Sequence, residues 1–162
     1  MKTGEKINAA VYAAQGGVIA ALYIVLTLVS NAFGLANGAV QVRISEALTI
    51  LPAFTPAAVP GLFIGCIISN YATGAILPDI VFGSLATLAG AIGTMALRNT
   101  GRFLLPLPPV LANTIVVPLV LKYAYNLDGT LIYMMVTVFA GEVISCGLLG
   151  LLLYPAASRI FR

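Results

Sequence analysis

The chain consists of long apolar stretches separated by short polar links, and it carries very little charge. Of its 162 residues, 60% are hydrophobic and 8% are charged, and the mean hydropathy is +1.06. A soluble domain carries about 25% charged residues because its surface faces water. Eight Lys or Arg and five Asp or Glu residues are too few to cover such a surface. The sequence therefore predicts an integral membrane protein of the all-α class.

Six apolar runs approach or reach the roughly 20 residues that a transmembrane helix needs. The first run is longer than the core of a signal peptide and is followed by others, so we interpret it as a retained helix. The predicted helices cover residues 7–29, 39–54, 62–77, 80–97, 110–125 and 131–158. They predict a single bundle of six transmembrane helices in one domain, residues 1–162. An alternative has four crossings, in which the second and third helices form a re-entrant hairpin.

The positions of the basic residues predict the orientation of the bundle. With an even number of crossings, six basic residues lie on the side of the termini: Lys2, Lys6, Arg98, Arg102, Arg159 and Arg162. Only Arg43 and Lys122 lie toward the other side. Because cytoplasmic loops are enriched in Lys and Arg, we expect both termini in the cytoplasm. This placement explains the net charge of +3 better than a nucleic-acid partner does.

Several classes of chemistry have no support in the sequence. Histidine is absent, and both cysteines, Cys66 and Cys146, lie inside apolar runs without a CxxC motif. We therefore expect no metal site, disulfide or cofactor. The chain also has no GxxxxGK[ST] loop, so it cannot hydrolyse ATP by that route.

Charged side chains inside the predicted helices are costly in a bilayer and so indicate functional positions. Four charged residues stand out in the outer half of the bundle: Arg43 and Glu46 at the start of the second helix, Asp79 at the junction of the third and fourth, and Glu142 within the sixth. They predict an outward-facing pocket for a ligand with several donors or a positive charge. Structural roles are the alternatives, since Arg43 and Glu46 are spaced to pair and Asp79 can cap a helix. Glu142 is protonated, is paired with Arg43 across the bundle, or binds ligand.

Four further residues complete the predicted pocket. Asn113 can bond to a ligand or to a neighbouring helix. Asn70 and Tyr71 lie near the outer end of the third helix, where Tyr71 is alternatively an interfacial residue. Because tryptophan is absent, we expect a flat ligand to stack on Tyr71 or Phe82.

The first helix carries two stripes of small residues, which let another helix approach closely. One stripe contains Ala9, Ala13, Gly17 and Ala21, and the other contains Gly16 and Ala20. The approaching helix belongs either to the same bundle or to a separate partner protein.

Three segments resemble the QueT family: ALYIVLTL, QVRISEALTILPAFTPAAVPGLFIGCIISN and AGEVISC. The most specific block is VRISEAL, and the resemblance extends over essentially the whole chain. QueT proteins are queuosine-precursor-specific S components (substrate-binding subunits) of energy-coupling factor (ECF) transporters. The resemblance implies a multi-pass protein of the bacterial plasma membrane that captures preQ1, preQ0 or queuine, all 7-deazaguanines, from outside.

The resemblance also implies partners, namely an ECF transmembrane coupling protein and two ATPase subunits that supply the energy. Docking in this group uses a small-xxx-small motif on the first helix. Here the matching residues are Gly17 and Ala21, with glycine in place of one alanine. Ala10 and Ala14 provide a second possible register.

The pocket residues suit a deazaguanine. Its guanine-type edge presents an N–H and an amino group side by side, which one carboxylate accepts as a pair. Glu142 or Glu46 is suited to that role, and Asp79 is suited to the aminomethyl cation of preQ1. Arg43 or Asn113 can donate to the ring carbonyl.

Two other functions remain open at this point. One is a self-sufficient proton-coupled carrier or exporter in which Glu142 exchanges the proton. The other is an S component for a different vitamin. The small-residue stripes favour an S component, because an autonomous carrier has less need of a docking face. A membrane enzyme is disfavoured, since no metal-ligand cluster or nucleophile with a paired base is visible.

Overall fold

The structure is a computed structural model that describes residues 8–35 and 40–161. Every regular element in these ranges is helical. The α-helices are α1 (Ala9–Ala32), α2 (Ala58–Ala72), α3 (Leu77–Ala96), α4 (Leu107–Tyr123), α5 (Leu131–Glu142) and α6 (Gly150–Ile160). A π-helical segment (Val143–Leu149) joins α5 to α6, and 3₁₀ helices occupy Ile44–Ala53 and Arg102–Leu104. The all-α prediction is confirmed.

Four stretches are long and apolar enough to cross a membrane: Ala9–Ala32, Leu77–Ala96, Arg102–Tyr123 and Leu131–Ile160. Two shorter apolar helices, Ile44–Ala53 and Ala58–Ala72, accompany them. These helices, in the described part of the chain, are those of a multi-pass membrane protein. The predicted starts of the first two helices, at residues 7 and 39, lie outside the described residues.

The second helix differs from its prediction. In place of an α-helix over 39–54, residues 41–43 have no regular structure and the 3₁₀ helix Ile44–Ala53 follows them. Pro52, inside this helix, lacks an N–H, and its ring clashes with a preceding α-helical turn. Eight of the ten residues are buried, because the segment packs against α1, α3, α6 and the π-helical segment. Such irregular backbone is tolerated at membrane depth where protein surrounds it.

Two other helices begin a few residues before their predicted starts, each with a proline in its first turn. The helix predicted over 62–77 begins at Ala58, so that Pro60 lies in its first turn, where the missing N–H does no harm. Likewise, α3 begins three residues before its predicted start at 80 and carries Pro78 at its N-terminus. The last predicted helix is one continuous rod, but its middle is π-helical.

Contacts between elements give the direction of each pass. The main-chain N–H of Ile44 donates to Ser30 Oγ at 2.9 Å, and Thr55 Oγ1 donates to Gln15 Oε1 at 2.9 Å. The 3₁₀ segment therefore runs antiparallel to α1. The fifteen steps from Gln15 to Ser30 in α1 at ~1.5 Å each cover ~22 Å, and the eleven steps from Ile44 to Thr55 at the ~2.0 Å rise of a 3₁₀ helix cover the same length. A short 3₁₀ helix can thus accompany a long α-helix.

The later elements continue the alternation. Thr87 of α3 donates to Cys66 Sγ of α2 at 3.5 Å, and a Cβ at Gly83 would lie 3.4 Å from Asn70 Nδ2, so α2 and α3 are antiparallel. Thr94 donates to the carbonyl of Leu105 before α4 at 2.9 Å, and Asp79 accepts from Tyr125 after α4, so α3 and α4 are antiparallel as well. Residues 8–35 and 40–161 make six passes through the bundle, counting α5, the π-helical segment and α6 as one. One apolar groove contains both Val11 and Phe161, so the two described ends of the chain lie at the same end of the bundle.

The two ends of the bundle differ in charge. Arg98 and Arg102, between α3 and α4, and Arg159, near the end of α6, lie at the end where α1 begins. Arg43 and Lys122 lie at the opposite end, as the sequence predicts. Lys2, Lys6 and Arg162 lie outside the described residues.

Glycines set the spacing between α1 and α2. A Cβ added at Gly61 would lie 2.7 Å from the carbonyl oxygen of Gly16. A Cβ added at Gly65 would lie 2.9 Å from Tyr23 Cβ and 3.0 Å from the carbonyl oxygen of Ala20. The stripe of Gly16 and Ala20 therefore packs inside the bundle. By contrast, a Cβ at Gly17 would meet nothing within 4 Å.

We predict that Gly65→Ala destabilises the bundle, because its new methyl group overlaps the backbone and side chains of α1. Overpacking of this kind costs about 1–3 kcal/mol, so the Tm of the detergent-solubilised protein falls by several degrees. The matched control is Gly17→Ala, which adds the same methyl group in open space and improves helix propensity. An equal loss of Tm in both variants would contradict the close α1–α2 contact.

Candidate functional site

A polar cavity of about 330 Å³ opens at the end of the bundle opposite the arginines of the α3–α4 connection. It is bounded by the end of α1, residues 41–43, the end of α2, the start of α3 and the end of α4. Its polar lining consists of Thr27, Asn31, Gln41, Arg43, Asn70, Thr73, Asp79 and Tyr125. The volume is within the range of small-molecule sites.

Arg43 lies between this cavity and the bundle interior. Its main-chain N–H donates to Ser145 Oγ at 3.1 Å, and its Nη1 donates to Asn70 Oδ1 at 3.4 Å. Asn70 in turn contacts Cys66 Sγ through Nδ2 at 3.5 Å. The guanidinium is thus directed across the cavity toward α2.

Asp79 is the acidic group of the cavity wall. It is 8% exposed and is the third residue of α3, whose N-cap is Ile76, so it is not the capping residue. Its Oδ2 accepts from the Tyr125 hydroxyl at 3.1 Å, and that hydroxyl accepts from the Ile76 N–H at 3.3 Å. Partial burial raises the pKa of the Tyr125 hydroxyl. It is therefore a stable donor to Asp79 at neutral pH.

A much smaller chamber, of about 20 Å³, lies next to the cavity on the inner side of Arg43. This is room for about one water molecule. Gln41, Arg43 and Val117 line both spaces and mark the passage between them. The remaining lining of the chamber consists of Glu46, Gly83, Thr87, Asn113, Val138 and Glu142.

The chamber brings two buried carboxyl groups together. Glu46 accepts a hydrogen bond from the Tyr23 hydroxyl, and Glu142 Oε2 lies 3.1 Å from Cys146 Sγ. Cys146 Sγ is also 4.0 Å from Glu46 Oε2, and the three groups offer donor atoms within 4.8 Å of one another. Two ionised carboxylates so close in a low-dielectric site repel each other. The pair therefore favours a bound proton or a donor-rich, cationic ligand group.

Six of the eight predicted pocket residues are brought together here. Three of them, Arg43, Asn70 and Asp79, line the cavity, and Glu46, Asn113 and Glu142 line the chamber. The possible Arg43–Glu46 pair is replaced by other partners, Asn70 for the arginine and Tyr23 for the glutamate.

The two predicted stacking rings lie elsewhere. Tyr71 is 76% exposed, and Phe82 is 53% exposed in an apolar groove on the surface of the bundle. Successive residues of an α-helix are rotated by ~100°. Because Asn70 points inward, its neighbour Tyr71 points outward, and the same holds for Phe82 beside Gly83, which faces Asp79. The structure does not place either ring at the cavity.

Some cavity residues were missed from the sequence. Tyr125 resembles an interfacial tyrosine, yet the turn after α4 returns it to Asp79. Asn126, with a φ of 52°, marks this turn, and asparagine is one of the few residues that readily adopt it. Ser30 and Ser145 lie outside the lining but bond to the main chain of residues 43 and 44, and for Ser145 its place in an apolar run was the available signal.

The predicted docking residues share one surface. Ala10, Ala14, Gly17 and Ala21 are all exposed on α1. An apolar groove of about 520 Å³ runs beside them, between α1, the 3₁₀ helix and α6. The two stripes of α1 therefore separate, with one inside the bundle and one on its surface.

Comparison with known proteins identifies relatives of this chain. The family described as QueT transporter matches residues 13–159. The queuosine precursor transporter QueT of Lactococcus lactis subsp. cremoris (strain MG1363) is 34% identical over 71 residues, which are 44% of this chain and 41% of that protein. The match thus spans less than half the length of this curated relative. No solved structure matches the chain.

The family match extends from α1 into α6 and includes every element that lines the cavity. On this evidence, the chain belongs to the QueT transporter family.

Proposed function

We propose that this chain is the substrate-capture subunit, or S component, of an ECF-type importer, and that it binds a queuosine precursor of the 7-deazaguanine class. The observation that carries the proposal is the cavity of about 330 Å³, with Arg43, Asn70 and Asp79 in its wall. Family membership and the name of the Lactococcus relative support the substrate class. In this proposal residues 1–162 act as one binding unit in the bacterial plasma membrane.

The distribution of charge supports an outward-facing cavity. Arg98, Arg102 and Arg159 lie at the end opposite the cavity, and basic residues are enriched on the cytoplasmic side of membrane proteins. Both termini are then cytoplasmic, all six passes cross the membrane, and the cavity collects ligand from outside. The 3₁₀ pass is shielded from lipid by the helices around it.

The sizes of the two spaces suggest how the ligand lies. The fused ring fits only the larger cavity, because the chamber has room for about one water molecule. The N–H and amino edge then points past Arg43 toward the chamber, where Glu142 or Glu46 accepts both hydrogens. Arg43 or Asn113 donates to the ring carbonyl. An aminomethyl cation, as in preQ1, is close to Asp79.

We predict that Glu142→Gln weakens binding of the precursor at least tenfold, about 1.4 kcal/mol. The amide retains the shape of the side chain but cannot accept both hydrogens of the guanine-type edge. Calorimetry of the solubilised protein with preQ1, preQ0 and queuine, without ATP, measures the effect. Asp128→Asn is the matched control, since it removes a carboxylate from the turn after α4, outside both lined spaces.

The outcomes separate the parts of this proposal. If the wild-type protein gives no heat with any of the three precursors, the substrate class is wrong and another vitamin becomes the better candidate. If the wild-type protein binds and Glu142→Gln binds equally well, Glu142 has a structural role.

We predict that Gly17→Leu abolishes co-purification with the ECF coupling protein and its two ATPase subunits while precursor binding is retained. Gly17 is exposed with open space around it, so a leucine there blocks the close approach of a partner helix without disturbing the bundle. Val25→Leu is the control, because Val25 is exposed on α1 but is not a member of the small-residue stripe.

Loss of both docking and binding in Gly17→Leu would instead mean that the stripe holds this bundle together. Uptake into liposomes that contain only this protein, driven by a pH gradient, would favour the proton-coupled carrier. In that case Glu142→Gln would abolish the uptake.

A further inference from the structure

The main chain around Arg43 is held by hydroxyl groups from two other elements. Residues 41–43 have no helical hydrogen bonds of their own, and an unpaired buried N–H costs about 1–3 kcal/mol. The N–H of Val42 donates to the carbonyl of Leu35 at 2.9 Å. The next two donate to serines, Arg43 to Ser145 Oγ at 3.1 Å and Ile44 to Ser30 Oγ at 2.9 Å. Arg43 is thus anchored from the last helical rod and from α1 together.

The two serines are buried polar residues that bond to the irregular segment. Ser30 is 0% exposed and Ser145 is 1% exposed, inside largely apolar helices. Ser30 donates its own hydrogen to the Leu26 carbonyl at 2.9 Å, which leaves its lone pairs for the Ile44 N–H. In each case the hydroxyl oxygen is the acceptor that the irregular segment requires.

The π-helical segment explains how Ser145 reaches this position. From α5 into α6 the buried residues recur every four positions: Gly141, Glu142, Ser145, Cys146 and Gly150. An α-helix has 3.6 residues per turn, so side chains spaced four apart would gradually turn away from one face of the helix. The wider π turn keeps it aligned, and π-bulges of this kind occur often at functional sites.

Gly141 adds a second fixed contact on the same face. A Cβ there would lie 2.0 Å from the carbonyl oxygen of Gln41, so the irregular segment lies directly on α5. One face of this rod therefore supplies both a proposed ligand group, Glu142, and the support of Arg43.

We infer that Ser145 is a positioning residue of the substrate site: its hydroxyl holds the main chain of Arg43 so that the guanidinium extends across the cavity to Asn70. Ser30 has the same role from α1, through Ile44. The inference rests on the proposed function, because it assigns to the Arg43 guanidinium a direct contact with the ligand.

The test compares Ser145→Ala with the wild-type protein in two measurements. Hydrogen–deuterium exchange without ligand reports on amides 41–45, and we expect faster exchange there because the Arg43 N–H has lost its acceptor. Calorimetry with the precursor that the wild-type protein binds should show a five- to tenfold loss of affinity. Ser84→Ala is the matched control, since the Ser84 hydroxyl is equally buried and has no partner among the described residues. It should change neither measurement.

A double-mutant cycle distinguishes positioning from general structural support. In an Arg43→Ala background, Ser145→Ala should cause no further loss of affinity, because the group that it positions is gone. An equal loss in both backgrounds would overturn the inference, and so would unchanged exchange and affinity in the single variant. If Ser145→Ala does not purify as a folded protein, Ser30→Ala gives the same test through the Ile44 amide.

Failure of the proposed function is separate from failure of this inference. If the wild-type protein binds no precursor, the substrate class fails, while the exchange at residues 41–45 still tests whether Ser145 holds the segment.

Discussion

The bundle is organised around one requirement, that the main-chain polar groups of its irregular segment be hydrogen-bonded to the rest of the protein. Residues 41–53 are not α-helical. Residues 41–44 are half-buried beside the cavity, and eight of the ten residues of the 3₁₀ helix are buried. A free N–H or carbonyl at this depth is costly, and lipid supplies no partner for it. The surrounding helices α1, α3 and α6 exclude lipid, and serine hydroxyls accept the N–H groups that the segment itself cannot satisfy.

The same irregular segment provides the chemistry of the site. An α-helix at the edge of a bundle directs part of its surface toward lipid, whereas eight of the ten residues of this 3₁₀ helix are buried against neighbouring elements. Ser45, Glu46 and Thr49 are therefore all buried, and Arg43 just before them reaches the cavity. The cost of burying irregular backbone is offset by the close packing of the helices around it, and the result is a concentrated group of polar side chains.

Small residues solve two different problems on α1. Gly16 and Ala20 face α2, where Gly61 and Gly65 allow the backbones to touch. Ala9, Ala13, Gly17 and Ala21 are also small and similarly spaced but lie on the surface. Internal packing therefore accounts for one stripe and leaves the other without a function inside the bundle. The spacing of small residues on its own could not have separated them.

Much of the fold was predictable because it follows from composition. A helix that crosses lipid needs about 20 apolar residues, so the long helices can be recognised in the sequence. The positions of the basic residues likewise predict which end of the bundle is positively charged. The four intramembrane charges were also recognisable, since each is costly unless it has a purpose. Proline shifted the boundaries of the helices only by a few residues, as in α2 and α3.

The sequence by itself predicted a lipid environment, six helical passes and the charged residues that line the cavity and the chamber. Only the tertiary structure decided that the second pass is a 3₁₀ helix, that Glu46 and Glu142 share one chamber, and that Tyr71 and Phe82 point away from it. The reason is physical: apolar runs of similar hydropathy give no preferred rotation about their axes. Rotation is fixed by contacts between residues far apart in the chain, such as Arg43 with Ser145 and Gln41 with Gly141.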